Sequence, residues 1–413
     1  MKTWYKLDNV GKFYSFTSKT RIPAAFRYSV TLTDEIDEYF LQKSLNQTLK
    51  DYPNFYVHLK RGFFWYYLEA ANSKVVVEKE HLPICSKIYK DSDNVLFRVN
   101  YFQNRINFEV SHILSDGRGS LKFFQSLVSR YLILKYHLTG IDVLDKSSDY
   151  EKSEDSFDKY YRKEKVKEQE KNKIYQYKGS KRKTITYMEY HISTKEAIDL
   201  AHRYNTSLTV LLLANLICAY KKEMKETELD KTIKIDVPVD LRQFFNSGTS
   251  RNFFGVTSVS YNFKNKSDKL EDVIKSVDEE LKSSINIDKL RNRMNKMVSF
   301  EKNIFARMAP IFLKDLVLNI IDKISNADCT CCLSNIGQVK MNEKLDKYIE
   351  NFNVLSTTGS LKITVCSYKN DLSIGISSKY ESNNIIKTFC SLFADNNIKG
   401  KLNINWGDEN EEV

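Results

Sequence analysis

The sequence predicts an α/β fold arranged in two domains. Three observations carry that prediction. The chain has 413 residues, more than a single compact core usually organises. Helical and strand-like periodicities are interleaved along both halves, as in layered α/β proteins. A stretch of dense mixed charge with few aliphatics, residues 146–180, divides the halves. The expected boundaries are 1–145, a charged linker at 146–183, and 184–413.

In the first half, Ile36, Phe40, Leu41, Leu45 and Leu49 recur at helical spacing and predict an amphipathic helix over 33–50. Thr33 suits its N-cap, and Pro53 stops it. The segments NFYVHLK, FFWYYLEA and KVVVEK follow, rich in aromatic and β-branched residues, and predict strands. NVLFRVNYF and RINFEVSH predict a hairpin turning near Gln103–Asn104. In its second strand Ile106, Phe108, Val110 and His112 share one face, and Asn107, Glu109 and Ser111 share the other. A helix is expected over 120–138, striped by Leu121, Phe124, Leu127, Tyr131, Leu134 and Leu138, with Gly140 suited to its C′ position.

The second half begins with a strand, TITYMEYHIS, then a helix, TKEAIDLAHRYN, and an apolar helix, SLTVLLLANLICAYKKEM. In KTIKIDVPVDLRQFF, Ile233, Ile235, Val237, Val239 and Leu241 alternate with polar residues and Pro238, which predicts a strand. A strand GVTSVSYNF and a long helical region over 268–323 come next. Strands DCTCCLSNIG, KITVCSYK and LSIGISSKY close the chain, with a last helix near 383–394.

Composition narrows the function classes. The net charge is +11. Between Lys146 and Ile185 there are 13 Lys and Arg against 8 Asp and Glu, so nearly half the excess sits in that one stretch. No basic helix with interleaved aromatics and no zinc-finger or RNA-binding signature occurs, so no nucleic-acid partner is expected. The remaining positive field favours an anionic ligand such as a phosphorylated cofactor. No apolar run is long enough to span a membrane, and the N-terminus lacks the apolar core of a signal peptide. The seven cysteines, an odd number, are expected to be reduced thiols in a cytoplasmic protein. Cys329 and Cys331 share a strand face with Leu333 while Cys332 points away, which reads as core thiols rather than a metal site.

The stretch SHILSDGRGS, residues 111–120, places His112 four residues before Asp116 and Gly117. About 0.01 chance matches to that pattern are expected from the chain's own composition. Two readings compete on the motif alone. One is a core histidine followed by an aspartate helix cap; the other is a catalytic base at the end of a strand.

The strand, His-x-x-x-Asp-Gly turn and helix resemble the CoA-dependent acyltransferase superfamily. That superfamily includes chloramphenicol acetyltransferase, plant acyltransferases, peptide-synthetase condensation domains and alcohol acetyltransferases. Further segments fall in the same order. LNQTLKDYPNFYVHL resembles its first helix and following strand. IDVPVDLRQFF, followed by RNFFGV, resembles its Pro-Val-Asn-Leu-Arg and Asn-Phe-Phe-Gly segments. LSNIGQV resembles its Ser-Asn-x-Gly strand end. The nearest flavour is the alcohol-acetyltransferase-like branch. Two departures stand out. Ser111 occupies the position of a second histidine in most condensation domains, and Asp240 replaces the family's asparagine.

The resemblance implies two chloramphenicol-acetyltransferase-like domains forming a V, with a channel between them and His112 midway. It implies acyl transfer from acyl-CoA, or from a phosphopantetheine thioester, to a small alcohol or amine acceptor, without a metal. His112 would be the general base, and Gly117 would give backbone freedom at the turn and room for a substrate beside the base. Asp116 would turn away to an arginine, with Arg242 the first candidate and Arg251 the second; the alternative for Arg242 is a solvated strand-end charge. Ser334, Asn335 and Thr358 are candidates for the oxyanion donor. Asn252, Phe253 and Phe254 are candidates for the channel wall, with core packing the competing reading for at least one phenylalanine. A monomer is expected, since two fused domains can build the channel in one chain. Two rivals stay open: a free-standing condensation-type enzyme served by an acyl carrier protein, and a catalytically silent binding module of the same fold.

Overall fold

A computed structural model describes residues 4–17, 23–88, 93–143, 145–163 and 173–405. Most strands fall into two mixed sheets. The five-stranded sheet contains β2 (Ala25–Leu32), β5 (Glu78–Lys79), β6 (Phe97–Phe102), β7 (Arg105–Ser111) and β12 (Ile349–Ser356), in the order β12-β2-β7-β6-β5. The seven-stranded sheet contains β8 (Lys181–Ser193), β9 (Thr232–Asp240), β10 (Phe254–Asn262), β11 (Cys331–Gln338), β13 (Leu361–Tyr368), β14 (Asp371–Tyr380) and β15 (Gly400–Asn405). Its order is β10-β9-β11-β13-β14-β8-β15. A small third sheet, β1-β4-β3, joins β1 (Trp4–Lys6) to the hairpin of β3 (Val57–Arg61) and β4 (Tyr66–Ala70).

Helices cover the sheets. The N-terminal half carries α1 (Asn9–Thr17), α2 (Glu38–Asp51) and α3 (Gly117–Lys135), and the charged stretch carries α4 (Asp149–Ser153) and α5 (Ser156–Tyr160). The C-terminal half carries α6 (Thr194–Arg203), α7 (Leu208–Lys221), α8 (Leu270–Ser284), α9 (Ile287–Lys302), α10 (Ile304–Met308), α11 (Ile311–Ala327) and α12 (Asn384–Asp395).

Several expected boundaries move, each for a local reason. Helix α2 starts at Glu38 because Asp37, not Thr33, accepts from the free N–H groups of Tyr39 and Phe40. The Thr33 and Ile36 N–H groups are instead bonded to the Tyr348 and Gln103 carbonyls. Helix α3 ends at Lys135, where His137 adopts a left-handed φ of 52° and Leu138 N–H donates to Ile133 O at 3.0 Å. That is a Schellman closure built on a histidine, and Gly140 lies beyond it. The expected strand at 74–79 shrinks to Glu78–Lys79, and the helical region after 268 breaks into four helices. Within the charged stretch, Ser148 and Glu151 form a capping box on α4. Lys152 is buried there, over the Tyr52 ring and donating to Asp51 O at 2.9 Å. Residues 164–172 of that stretch lie outside the described residues.

The apolar face of β7 supports the N-terminal core. Phe108 stacks on Phe123 at 4.9 Å, and Phe123 on Phe55 at 4.6 Å. Each such buried ring contributes about 1.5–3 kcal/mol through burial. The other face of β7 is polar yet equally buried. Asn353, Ser29, Asn107 and Asn100 are cross-strand neighbours on it, and Ser29 and Asn100 both bond Asn107. Glu109 accepts from Arg27 Nε at 2.8 Å, Arg98 Nε at 3.0 Å and Cys85 N–H at 2.7 Å. Burial works against its charge, but the two arginines hold its pKa below the ordinary carboxylate range.

This polar face meets the seven-stranded sheet. Arg105 forks onto Glu189 of β8, with Nη1···Oε2 2.9 Å, and Ser373 of β14 donates to Asn353 of β12 at 2.7 Å. A Cβ on Gly375 would stand 2.0 Å from Val354 O, so glycine permits the closest approach of β14 to β12. Strand β12 comes from the C-terminal half but pairs antiparallel with β2, Phe352 opposite Val30. The two halves are therefore stitched together beside the loop that carries His112.

Candidate functional site

His112 follows directly on β7, and its N–H donates to Ala24 O at 2.9 Å. The side chain is half-buried. Tyr14 of α1 stacks on the ring at 5.2 Å, Phe26 lies 4.6 Å away and Phe254 6.2 Å away. Its Nδ1 is buried, and no hydrogen bond of ordinary geometry closes on it. Burial of the ring, with the nearby Lys362 ammonium, pushes its pKa down to about 3; the Ser115 backbone and the Asn252 side chain pull weakly the other way. The imidazole is thus neutral at neutral pH, the form a general base needs.

A measurable consequence for stability follows. The folded chain binds fewer protons at His112 than the unfolded chain wherever pH lies between about 3 and the ordinary value of ~6.5. Stability from this group is present above ~6.5 and is lost as pH falls toward 3. Melting temperature is therefore expected to fall more steeply from pH 7 to pH 4 in the wild type than in His112→Ala, as differential scanning calorimetry would show.

Asp116 caps α3, accepting from Gly119 N–H at 2.7 Å through Oδ1. Its Oδ2 accepts from Arg242 Nη1 at 3.0 Å and from Phe253 N–H at 2.6 Å. Both side chains of the ion pair are buried. Arg242 spends its whole fork on this corner: Nε donates to Thr249 O at 2.9 Å, Nη2 to Arg251 O at 2.6 Å, and Nη1 also to Asp240 at 2.9 Å. The solvated reading of Arg242 does not hold. Asp240 also caps the Arg242 N–H. A carboxylate at that position gains a cation where an amide would have needed an acceptor.

Arg251 serves a second buried carboxylate, Asp8, with Nε···Oδ2 3.5 Å. Asp8 accepts from Gly11 N–H at 2.7 Å and from Asn252 Nδ2 at 3.2 Å, and burial raises its pKa to about 6. Asn252 Nδ2 also donates to His112 O at 2.9 Å. Asn252 is thus a buried bracket between α1 and His112, not a wall residue. Asp8 and Tyr14 were not among the sequence candidates. The signal available was Asp8 as a cap three residues before Gly11, opening the helix VGKFYSF. Phe253 takes the core-packing reading and not the channel-wall one: it is fully buried among Phe157, Tyr160 and Phe245. Phe254 is the one of the pair beside His112.

The end of β11 lies against the start of α3. A Cβ on Gly117 would come 3.0 Å from Ile336 Cδ1 and 3.2 Å from the Tyr28 hydroxyl, and one on Gly337 would come 3.3 Å from Arg118 Nη2. Gly117 is not in the left-handed region, so its role is close approach rather than backbone freedom. Gly119 is tighter, with a Cβ placed 2.2 Å from Ser250 O. Gly119→Ala is expected to cost about 1–3 kcal/mol in chemical denaturation, the usual range for overpacking, and Gly117→Ala less.

Of the oxyanion candidates, Asn335 is engaged by Thr209 Oγ1 at 2.9 Å and by Gly337 N–H at 2.8 Å. Thr358 accepts from Ser360 N–H at 3.1 Å. Ser334 pairs with Thr364 on β13 and shares its strand face with Cys332, whose β13 partner is Lys362. That face also carries Thr364, which bonds Val354 O at the seam between the sheets. Lys362, absent from the sequence candidates, donates to Ser356 Oγ at 2.8 Å. Cys331 lies in the core with Leu333.

No family model matches the sequence, and no curated protein matches it. Solved structures do match the fold. Polyketide synthase associated protein 5 from Mycobacterium tuberculosis is 14% identical, over 94% of this chain and 96% of its own, with a TM-score of 0.61. The TRI3 trichothecene 15-O-acetyltransferase from Fusarium sporotrichioides is 11% identical, over 94% and 96%, at 0.63. A mutant starter condensation domain of rhizomide synthetase, in complex with C8-CoA and Leu-SNAC, is 10% identical, over 94% and 92%, at 0.62. The chain therefore has the fold of CoA-dependent acyltransferases and condensation domains. An epimerization domain of tyrocidine synthetase also shares it, at 13% identity and 0.59. Fold alone does not choose among these chemistries; the site residues must.

Proposed function

We propose that the chain transfers an acyl group from a thioester to a small alcohol or amine, with His112 as general base. The observation that carries this reading is a neutral, half-buried imidazole on a loop locked from two sides. Asp116 with Arg242 holds the α3 end of the loop, and Asn252 with Asp8 holds the His112 carbonyl.

In the proposed reaction the acceptor and the thioester meet beside His112, in a channel between the two sheets. As the acceptor oxygen or nitrogen attacks the thioester carbonyl, its proton passes to a ring nitrogen of His112. The carbonyl π pair moves to oxygen and gives a tetrahedral oxyanion. Ser334, on the face turned toward Lys362, is the favoured donor to it, and the Lys362 ammonium adds a favourable field. The oxyanion then re-forms the carbonyl, the carbon–sulfur bond breaks, and the imidazolium proton goes to the departing sulfur. The products are an ester or amide and a free thiol, with His112 neutral again. No residue of the chain needs to become acylated.

Both donor types present the same phosphopantetheine arm, so they are separated by experiment. The chain is offered acetyl-CoA, octanoyl-CoA and an acyl carrier protein loaded with octanoate, each with a mixed library of alcohols and amines. Mass spectrometry then seeks acceptors heavier by the acyl increment. Product from the CoA donors supports the CoA-dependent reading. Product only from the carrier supports the condensation-type one. No product from either, with the chain folded, supports the silent module.

A further inference from the structure

Helix α11 buries Ile311 and packs Leu318 against the N-terminal core, yet carries a second apolar face on its outside. Phe312, Leu316 and Ile320 recur every four residues, and Leu313 and Val317 run beside them, so they form one continuous stripe. That stripe faces solvent: Phe312 and Leu316 are each 62% exposed. Lys314 points the other way. Lys314 is only 6% exposed, lies over the Trp65 ring at 3.7 Å and donates to Phe64 O at 2.8 Å. Burial lowers its pKa to about 8. An exposed apolar stripe of this length on a helix that turns Lys314 inward marks an interaction surface.

The stripe is part of a larger surface. Ile304 and Met308 of α10 are exposed one turn apart, and Phe63 and Phe64 at the tip of the β3–β4 hairpin are exposed beside them. The hairpin is joined to α11 by Ile311 N–H donating to Phe63 O at 3.3 Å. Exposed Arg61 and Arg307 flank the apolar residues. Between Ile287 and Ala327 the sequence carries eight Lys and Arg against four Asp and Glu; of these Lys314 is turned inward, Lys302 pairs with Asp158 and Arg291 with Asp288, so Arg61 and Arg307 are the cations placed at the rim of the stripe.

We propose that this face is a docking surface for an anionic lipid bilayer. The chemistry that fits is an apolar interior under a negatively charged surface: the stripe and the two phenylalanines enter the acyl boundary, and the arginines meet the headgroups. The charge selects this occupant over a second copy of the chain, because two such faces would bring like charge together. No described helix is long and apolar enough to cross a membrane, so docking is at the interface. Helix α1 packs against α11 and places Tyr14 on His112, so the bilayer would lie one helix away from the proposed base.

The test is flotation of the full chain with vesicles of two parts phosphatidylcholine to one part phosphatidylserine. Pure phosphatidylcholine vesicles and Phe312→Glu/Leu316→Glu are compared, with analytical ultracentrifugation of the same samples. Both substituted positions are exposed, so circular dichroism and melting should match the wild type. The expected result is binding to the anionic vesicles. It should weaken at least tenfold on pure phosphatidylcholine, in high salt, and in the double variant. Absence of flotation by the wild type overturns the proposal. So does flotation unchanged in the folded variant, or a lipid-indifferent dimer that the double substitution dissociates.

Discussion

His112→Ala is expected to lower kcat for acyl transfer by about 10²–10⁴-fold, the range spanned by general-base assistance. The acceptor still binds and the oxyanion is still stabilised, so KM should change little and the residual rate should exceed that in water. His112→Gln keeps a polar side chain of similar reach but cannot carry the proton, and should be equally impaired. The pH profile adds a second signature. Because burial lowers the His112 pKa to about 3, His112 itself should contribute no acid limb to kcat/KM near ~6.5, where an exposed histidine would titrate. An acid limb near 6 belongs to Asp8, whose protonation weakens its pairing with Arg251. Asp8→Asn should abolish that limb.

Arg242→Ala is expected to lower unfolding free energy by about 3–5 kcal/mol, because it strands Asp116 and Asp240 without their shared cation. The Thr249 and Arg251 carbonyls lose their donor at the same time. Arg242→Lys should recover only part of this, since one ammonium cannot reproduce the three-nitrogen fork. Asp116→Ala should cost less, as Arg242 keeps Asp240. Its loss of activity should exceed its loss of stability, because it frees both the cap of α3 and Phe253 N–H. Urea titration of the three variants, with activity measured where each is fully folded, separates the two effects.

How much was legible in the sequence varies with the range of the interaction. The His-x-x-x-Asp-Gly turn, the strand before it and the helix after it are local, and periodicity and capping reveal them. The Asp116–Arg242 pair spans 126 residues, and only the ordered likeness of PVDLR to a known family linked them. Asp8 and Tyr14 reach His112 through an N-terminal helix too short to stand out. Strand β12 escaped because ENFNVL alternates weakly and its partner β2 lies over 300 residues away. The alternation along β7 was visible, but a polar face usually means solvent. Here Asn107 and Glu109 are buried instead against a second sheet whose own polar groups satisfy them. The outward stripe of α11 could not be read at all, because helical periodicity shows that a face exists and not which way it turns.

The most direct test of the central claim is free thiol released from acyl-CoA in the presence of the acceptor library, quantified together with acylated product. The wild type should release one thiol per acylated acceptor. His112→Ala, folded to the same melting behaviour, should release about 10²–10⁴-fold less. Equal thiol release by the two proteins would contradict His112 as the base of an acyl transfer.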